Sequence, residues 1–211
     1  MADVDLISVS HHPLVRHKLT RLRDSSTEPA QFRILVRDLS QLLFFEAMHD
    51  LRLEPWTVRT PLSECAGQRI ADHIGLFPIL RAGLGMADAL LELVPSACVW
   101  HLGLYRDHKT LRPVTYYNKL PAGLTIDLAL VVDPMLATGG SAVAAITILK
   151  EAGLRRIKFL GLIAAPEGVQ VLKQTHPDVA VHLGAIDSHL DERSYIVPGL
   201  GDAGDRQFGT H

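Results

Sequence analysis

Residues 128–153 read LALVVDPMLATGGSAVAAITILKEAG, and the order of residue types in this stretch decides the fold. Leu128 to Val132 are five consecutive apolar residues, the length and branching of a strand buried on both faces. Asp133 falls where that strand ends, so the geometry of the chain exposes its carboxylate. Pro134 opens a short loop that reaches Thr138, Gly139, Gly140 and Ser141. Val143, Ile146 and Leu149 then recur at helical spacing up to a stop at Gly153.

Such a loop has a physical use. Glycine reaches backbone conformations closed to other residues, so Thr138 to Ser141 can turn several N–H groups toward one point, where a phosphate fits. The helix dipole would add about 0.3 to 1 kcal/mol. Each charge-assisted hydrogen bond adds roughly 1.5 to 3 kcal/mol, so the loop's amides and hydroxyls dominate. The same residues also read as an ordinary βα turn kept small for close packing. What separates the two readings is the acid about five residues upstream, spaced to accept the hydroxyls of a sugar whose 5-phosphate the loop holds. No Lys follows the glycines, which excludes the nucleoside-triphosphate P-loop.

With these residues in place, VVDPMLATGGS resembles the phosphoribosyl-pyrophosphate (PRPP) loop of the type I phosphoribosyltransferases. Asp133 followed by Pro134, rather than by a second acid, is similar to the uracil branch of that superfamily. Two further stretches carry the same resemblance: PILRAGLGM at 78–86 and YIVPGLGDAGDRQFGT at 195–210. It implies uracil and PRPP as substrates, UMP and diphosphate as products, and Mg2+ as cofactor. It also implies that Arg81, Arg106, Asp133, Pro134, Met135, Leu136, Ala137, Thr138, Gly139, Gly140, Ser141 and Asp202 contact PRPP. Ile196, Gly201, Asp202 and Ala203 would hold the base by main chain. In the superfamily the loop after PIL often contains a non-proline cis peptide, expected here between Arg81 and Ala82. A homodimer or homotetramer and a GTP effector, as in some relatives, complete what the resemblance implies.

The rest of the chain is read outward from these motifs. His73 to Leu80 is strand-like and Leu84 to Val94 helical, which makes Arg81 to Gly83 a second strand-to-helix turn; alone it reads equally as a Gly-rich turn with a solvent-facing Arg. Ile157 to Ala164, Pro166 to Thr175 and Val179 to Ile186 continue as strand, helix, strand. This alternation predicts an α/β fold, a mainly parallel twisted sheet with helices on both faces, ligands binding at its carboxyl edge. Ala97 to Leu104 reads as one buried strand, and Trp56 to Thr60 with Gln68 to Ala71 as a hairpin whose turn is PLSECAG.

His12 to Arg23 is a short basic amphipathic helix with Leu14, Leu19 and Leu22 inward. From Pro29, apolar Phe32, Leu35, Val36, Leu39, Leu42, Leu43 and Ala47 mark one long helix, with Ser26 and Thr27 as caps. The expected organisation is a single domain over 1–211, with N-terminal helices at 12–50, a mobile hairpin over the site at 107–121 and a base-binding segment at 194–211. In that last segment Gly199, Gly201 and Gly204 satisfy GxGxxG, but too little chain follows for a helix, so a dinucleotide fingerprint is rejected. Ile196, Val197, Leu200 and Phe208 need burial, so the tail is expected to be ordered.

Composition sets the outer bounds: 211 residues, 47% hydrophobic, with a net charge of −2 and pI near 6.6. Nothing there favours nucleic acid or a membrane, and the start, MADVDLISVS, lacks the basic flank and apolar run of a signal peptide. Cys65 and Cys98 are read as reduced thiols of a cytoplasmic protein. The eleven histidines form no metal-binding cluster. Two rival readings share the PRPP loop: a PRPP- or nucleotide-sensing regulator without catalysis, and a purine or orotate transferase, which would lack GLGDAGD.

Overall fold

The computed structural model describes residues 6–106, 113–118, 120, 121 and 123–210. In chain order the elements are β1 (Ile7–Val9), α1 (Pro13–Arg23), α2 (Pro29–Ala47), β2 (Leu53–Arg59), β3 (Glu64–Ile70), β4 (Ile74–Leu80), α3 (Leu84–Leu93), β5 (Cys98–Val99), β6 (Leu102–Arg106) and β7 (Pro113–Asn118). There follow β8 (Leu128–Val132), β9 (Met135–Leu136), α4 (Gly140–Glu151), β10 (Ile157–Ala164), α5 (Pro166–Thr175), β11 (Ala180–Ile186), β12 (His189–Leu190), β13 (Ile196–Val197) and α6 (Ala203–Phe208).

The main sheet runs β1-β11-β10-β8-β4-β6-β7, parallel except for the antiparallel β6–β7 pair. Successive residues of its strands feed two different cores, because side chains alternate between faces. Leu76, Leu128, Leu130 and Leu160 pack with α1, α2 and α3. Phe77, Ala129, Val131 and Phe159 pack with α4 and α5. This explains the unbroken apolar run at 128–132: both faces of β8 are covered, as expected for a parallel strand between helical layers. The chain leaves the neighbouring strands β4 and β8 in opposite directions, toward β6 and toward β10. That makes a topological switch point, where α/β sheets open a crevice at their carboxyl edge.

The two edges of the sheet differ. At the amino edge Asp72 accepts from Arg52 at 2.5 Å and Arg156 at 2.9 Å, while Asp127 accepts from Arg52 at 2.7 Å and from the His73 N–H at 2.9 Å. Buried Lys158 reaches Asp50 at 2.5 Å and the Ala47 carbonyl at 2.6 Å. These bonds stitch that edge shut.

Several local expectations need correction. Leu14 is half exposed and Val15 takes the inward position, since 15, 19 and 22 lie on one helix face at i, i+4, i+7 spacing; the helix begins at Pro13 with the His12 side chain as cap. α2 is preceded by Glu28 without a side-chain cap, and Ser26 instead bonds Asp24. The β2–β3 hairpin turns at 60–63, so much of PLSECAG is strand. Ala97 to Leu104 is two short strands separated at Trp100 and His101. A helix does close the tail: α6 needs only six residues because Asp202 caps it, accepting the Asp205 N–H at 2.9 Å. Of the tail's apolar residues, Ile196 and Leu200 are buried but Phe208 is exposed. In the hairpin expected at 107–121, residues 107–112 and 119 lie outside the described residues.

Candidate active site

At the carboxyl edge the loops after β4 and β8 face the tail across a cleft of about 360 Å³. Arg81, Asp133, Met135, Ala137, Ser141 and Asp202 all line it. Residues from three distant motifs thus share one cavity.

Asp133 stands where β8 stops. Its N–H donates to Leu160 at 3.2 Å, the Pro134 carbonyl accepts from both Leu162 and Ile163, and Met135 with Leu136 re-pairs with the end of β10. The strand is therefore broken for two residues, and the break carries the acid. Asp133 is half-buried rather than exposed. Burial pushes its carboxyl up to about 7; the Met135 N–H, 3.3 Å from Oδ1, works against this, and the Asp202 carboxylate adds to it.

The glycine loop follows. Gly139 has φ +82° and precedes α4 without a side-chain cap, so the residue at the head of the helix brings no side chain to its first-turn N–H groups. Pro134 and Leu136 are buried, which leaves only their main chain to meet a ligand. Gly168, in the first turn of α5, escaped the sequence reading. A Cβ there would lie 2.3 Å from the Ala137 carbonyl oxygen and 2.7 Å from that of Leu136. Its only signal was a glycine inside a helical pattern, which is tolerated only where something packs close. Gly168→Ala is expected to displace the main chain of Leu136 and Ala137 and lower the melting temperature, read by calorimetry; an unchanged melting temperature would show that the loop yields freely.

The loop after β4 does hold a cis non-proline peptide, but between Leu80 and Arg81, one bond earlier than expected. Gly83 packs so tightly under it that a Cβ would meet the Val132 carbonyl oxygen at 2.6 Å. The Arg81 guanidinium pairs with Asp205 at 3.0 Å, and Gln207 donates to the Ala82 carbonyl at 2.9 Å. α6 is thereby docked onto this loop, a contact between sequence-distant residues that no local pattern announces. Arg106 ends β6, its backbone paired with Pro113; its side chain lies outside what is described. Of the tail residues, Asp202 and Gly204 line the cleft; Ile196 and Ala203 are buried and do not line it, and Gly201, at φ +77°, is exposed.

The sequence model for "Uracil phosphoribosyltransferase" matches residues 9–210. The chain belongs to the uracil phosphoribosyltransferase family. A relative of that name from Roseiflexus sp. (strain RS-1) is 67% identical over 204 residues, 97% of this chain and 98% of its own length. A solved structure from Aquifex aeolicus is 35% identical and superimposes with a TM-score of 0.90, covering 96% of this chain and 97% of that one. A hypoxanthine-guanine phosphoribosyltransferase from Bacillus anthracis, 12% identical, covers 79% of this chain and 83% of its own with a TM-score of 0.52, a likeness of fold alone. The mainly parallel sheet with helices on both faces is thus the phosphoribosyltransferase architecture of the uracil family.

Proposed function

We propose that this chain transfers the 5-phosphoribosyl group of PRPP to uracil, giving UMP and diphosphate in pyrimidine salvage. The observation that carries the reading is the single cleft shared by Arg81, Asp133, Ser141 and Asp202, in a chain matched to its family from residue 9 to 210. The bond from ribose C1 to the diphosphate oxygen breaks, a bond to uracil N1 forms, and the N1 proton leaves with solvent or a neighbouring base. No covalent nucleophile is needed, because diphosphate is a competent leaving group and positive charge develops on the ribose ring. Holding the reactants in line supplies on the order of 7 to 11 kcal/mol.

In this reading Asp133 accepts the ribose hydroxyls, which favours its anion. Thr138 to Ser141, with the main chain from Pro134 to Ala137, hold the 5-phosphate, while Arg81 and Arg106 meet the diphosphate. Asp202 tunes the base or the water around the metal. Among the described residues no group of three or more His, Cys, Asp or Glu side chains could hold a metal ion. In this reading Mg2+ is carried mainly by PRPP and water, and when bound it would neutralise charge on the diphosphate. The main chain of Ile196, Gly201, Asp202 and Ala203 reads uracil. Backbone N–H groups facing the base carbonyls would be left unpaired opposite the amino group of cytosine, a difference worth roughly 10⁴-fold or more.

Two measurements test this. Labelled uracil with PRPP and Mg2+ should yield UMP, whereas cytosine, hypoxanthine and orotate should not react; absence of labelled UMP would end the proposal. Ile196→Ala should weaken uracil binding yet keep the preference over cytosine, and comparable turnover of both bases would count against main-chain selection.

The proposal extends to one functional domain over 1–211, with 12–50 as helical cover, 107–121 as a lid and 194–211 as the base segment. It includes a homodimer or homotetramer, supported by apolar Leu53, Trp56, Val58, Leu62 and Ile70 exposed on the β2–β3 arm. GTP as a positive effector and a cytoplasmic setting complete it. Light scattering and rates with and without GTP test assembly and activation. In the described residues no helix is long and apolar enough to cross a membrane. The regulator reading finds no support beside relatives named as the enzyme.

A further inference from the structure

The tail is gripped from behind by three side chains that the site itself does not use. Asp187, directly after β11, takes the Arg23 guanidinium in two bonds, Nη1 to Oδ2 at 2.6 Å and Nη2 to Oδ1 at 2.5 Å. The same Oδ2 accepts the Gly199 N–H at 2.9 Å, and Arg23 Nη1 also donates to the Gly199 carbonyl at 2.8 Å. Both polar main-chain groups of Gly199 are therefore tied to one ion pair, whose carboxylate is only 5% exposed. The next carbonyl, that of Leu200, accepts from Arg206 Nη1 at 2.9 Å. That guanidinium also donates to Leu22 at 2.8 Å and to Asp24, and lies 4.5 Å from the centre of the Phe32 ring. The end of α1 thus clamps two consecutive residues immediately before Gly201.

We propose that Arg23, Asp187 and Arg206 are positioning residues for base recognition, fixing the direction in which the main chain of Gly201 to Ala203 faces the pyrimidine. The inference rests on the reading in which that main chain holds uracil. A backbone donor cannot be re-aimed by changing rotamer; its direction follows from the dihedral angles of its neighbours. Gly199, at φ +63°, and Gly201, at φ +77°, are the residues least able to fix those angles by themselves. Orientation has to be imposed from outside, and a bidentate Arg–carboxylate pair does this with little freedom left over. Such bonds also satisfy main-chain groups that stability alone requires to be paired, which is why the test separates base binding from melting.

The test uses the full chain carrying Asp187→Asn or Arg206→Lys. Asp187→Asn keeps the shape but turns a donor toward Arg23; Arg206→Lys keeps the charge but loses the fork that reaches the carbonyls of Leu22, Asp24 and Leu200 together. Each should raise KM for uracil about 10- to 100-fold, with KM for PRPP and the thermal shift produced by PRPP within about twofold of the parent protein. The ratio of cytosine to uracil turnover should rise, since misdirected amides discriminate less. Equal changes in both KM values, or a lowered melting temperature with uracil KM unchanged, would overturn the assignment. If Asp187→Asn does not fold, Arg206→Lys decides by the same readout. Failure of the parent protein to make UMP would retire the base-site reading and this inference with it, whereas parent activity with unaltered variants retires the clamp alone.

Discussion

Replacing Asp133 with asparagine should lower kcat/KM for PRPP by about 100- to 10,000-fold and at the same time make the protein more stable above pH 7. The first effect follows from removing the charged acceptor of two ribose hydroxyls, each bond contributing roughly 1.5 to 3 kcal/mol. The second follows from proton linkage. The Asp133 carboxyl titrates at about 7 in the folded chain against an ordinary 3.8, because burial and the Asp202 carboxylate disfavour its anion. Between those two values the folded state keeps a proton that the unfolded state has lost, so stability declines as pH rises through this window and the loss is complete above 7. Asparagine resembles the protonated acid and escapes that decline. Melting curves of the two proteins should therefore coincide near pH 4 and separate as pH approaches 8, with the variant on top. A variant with normal turnover would remove Asp133 from the sugar, and one that melts below its parent at pH 8 would refute the burial argument.

Gly199→Ala should cost at least about 100-fold in kcat/KM for uracil while PRPP still binds. A Cβ at this position would stand 2.0 Å from the Ile196 carbonyl oxygen, a distance no rotamer relieves, and φ is already +63°. The positive φ alone costs about 1 to 3 kcal/mol for a residue with a side chain; the overlap additionally forces the main chain from Ile196 to Gly201 apart. Gly153→Ala provides the control, because φ there is +92° but a Cβ would meet nothing within 4 Å. It should lower the melting temperature and leave both KM values alone. Calorimetry with PRPP, beside uracil saturation curves, distinguishes a damaged base pocket from general unfolding. Equal behaviour of the two alanine variants would mean that strain, rather than contact, is what matters at Gly199.

The layered core was legible in the sequence because each of its signals is local. β8, β10 and α5 have the bounds read from periodicity, since an apolar run covered on both faces and a Pro at a helix start do not depend on distant residues. Asp133 and the glycine loop were legible for the same reason. Legibility failed where a partner lies far along the chain. Phe208 was expected inside, but α6 turns Ala203, Gly204 and Gln207 inward and leaves it exposed. Val15 replaced Leu14 because 15, 19 and 22 follow the i, i+4, i+7 spacing of one helix face, whereas Leu14 falls beside it. Gly168 near Ala137 and Arg81 beside Asp205 are pairings of elements that only the sheet order brings together. The resemblance to the uracil family supplied residue roles that periodicity could not have given.

The bonds from Gln207 to Ala82 and from Arg81 to Asp205 join positions 125 and 124 residues apart. Every strand of the main sheet lies at or before Ile186, whereas the helix that completes the cleft lies after it. Scaffold and cleft are therefore separable along the chain. A version cut after Ile186 would keep every strand of the main sheet and lack the helix that closes the site.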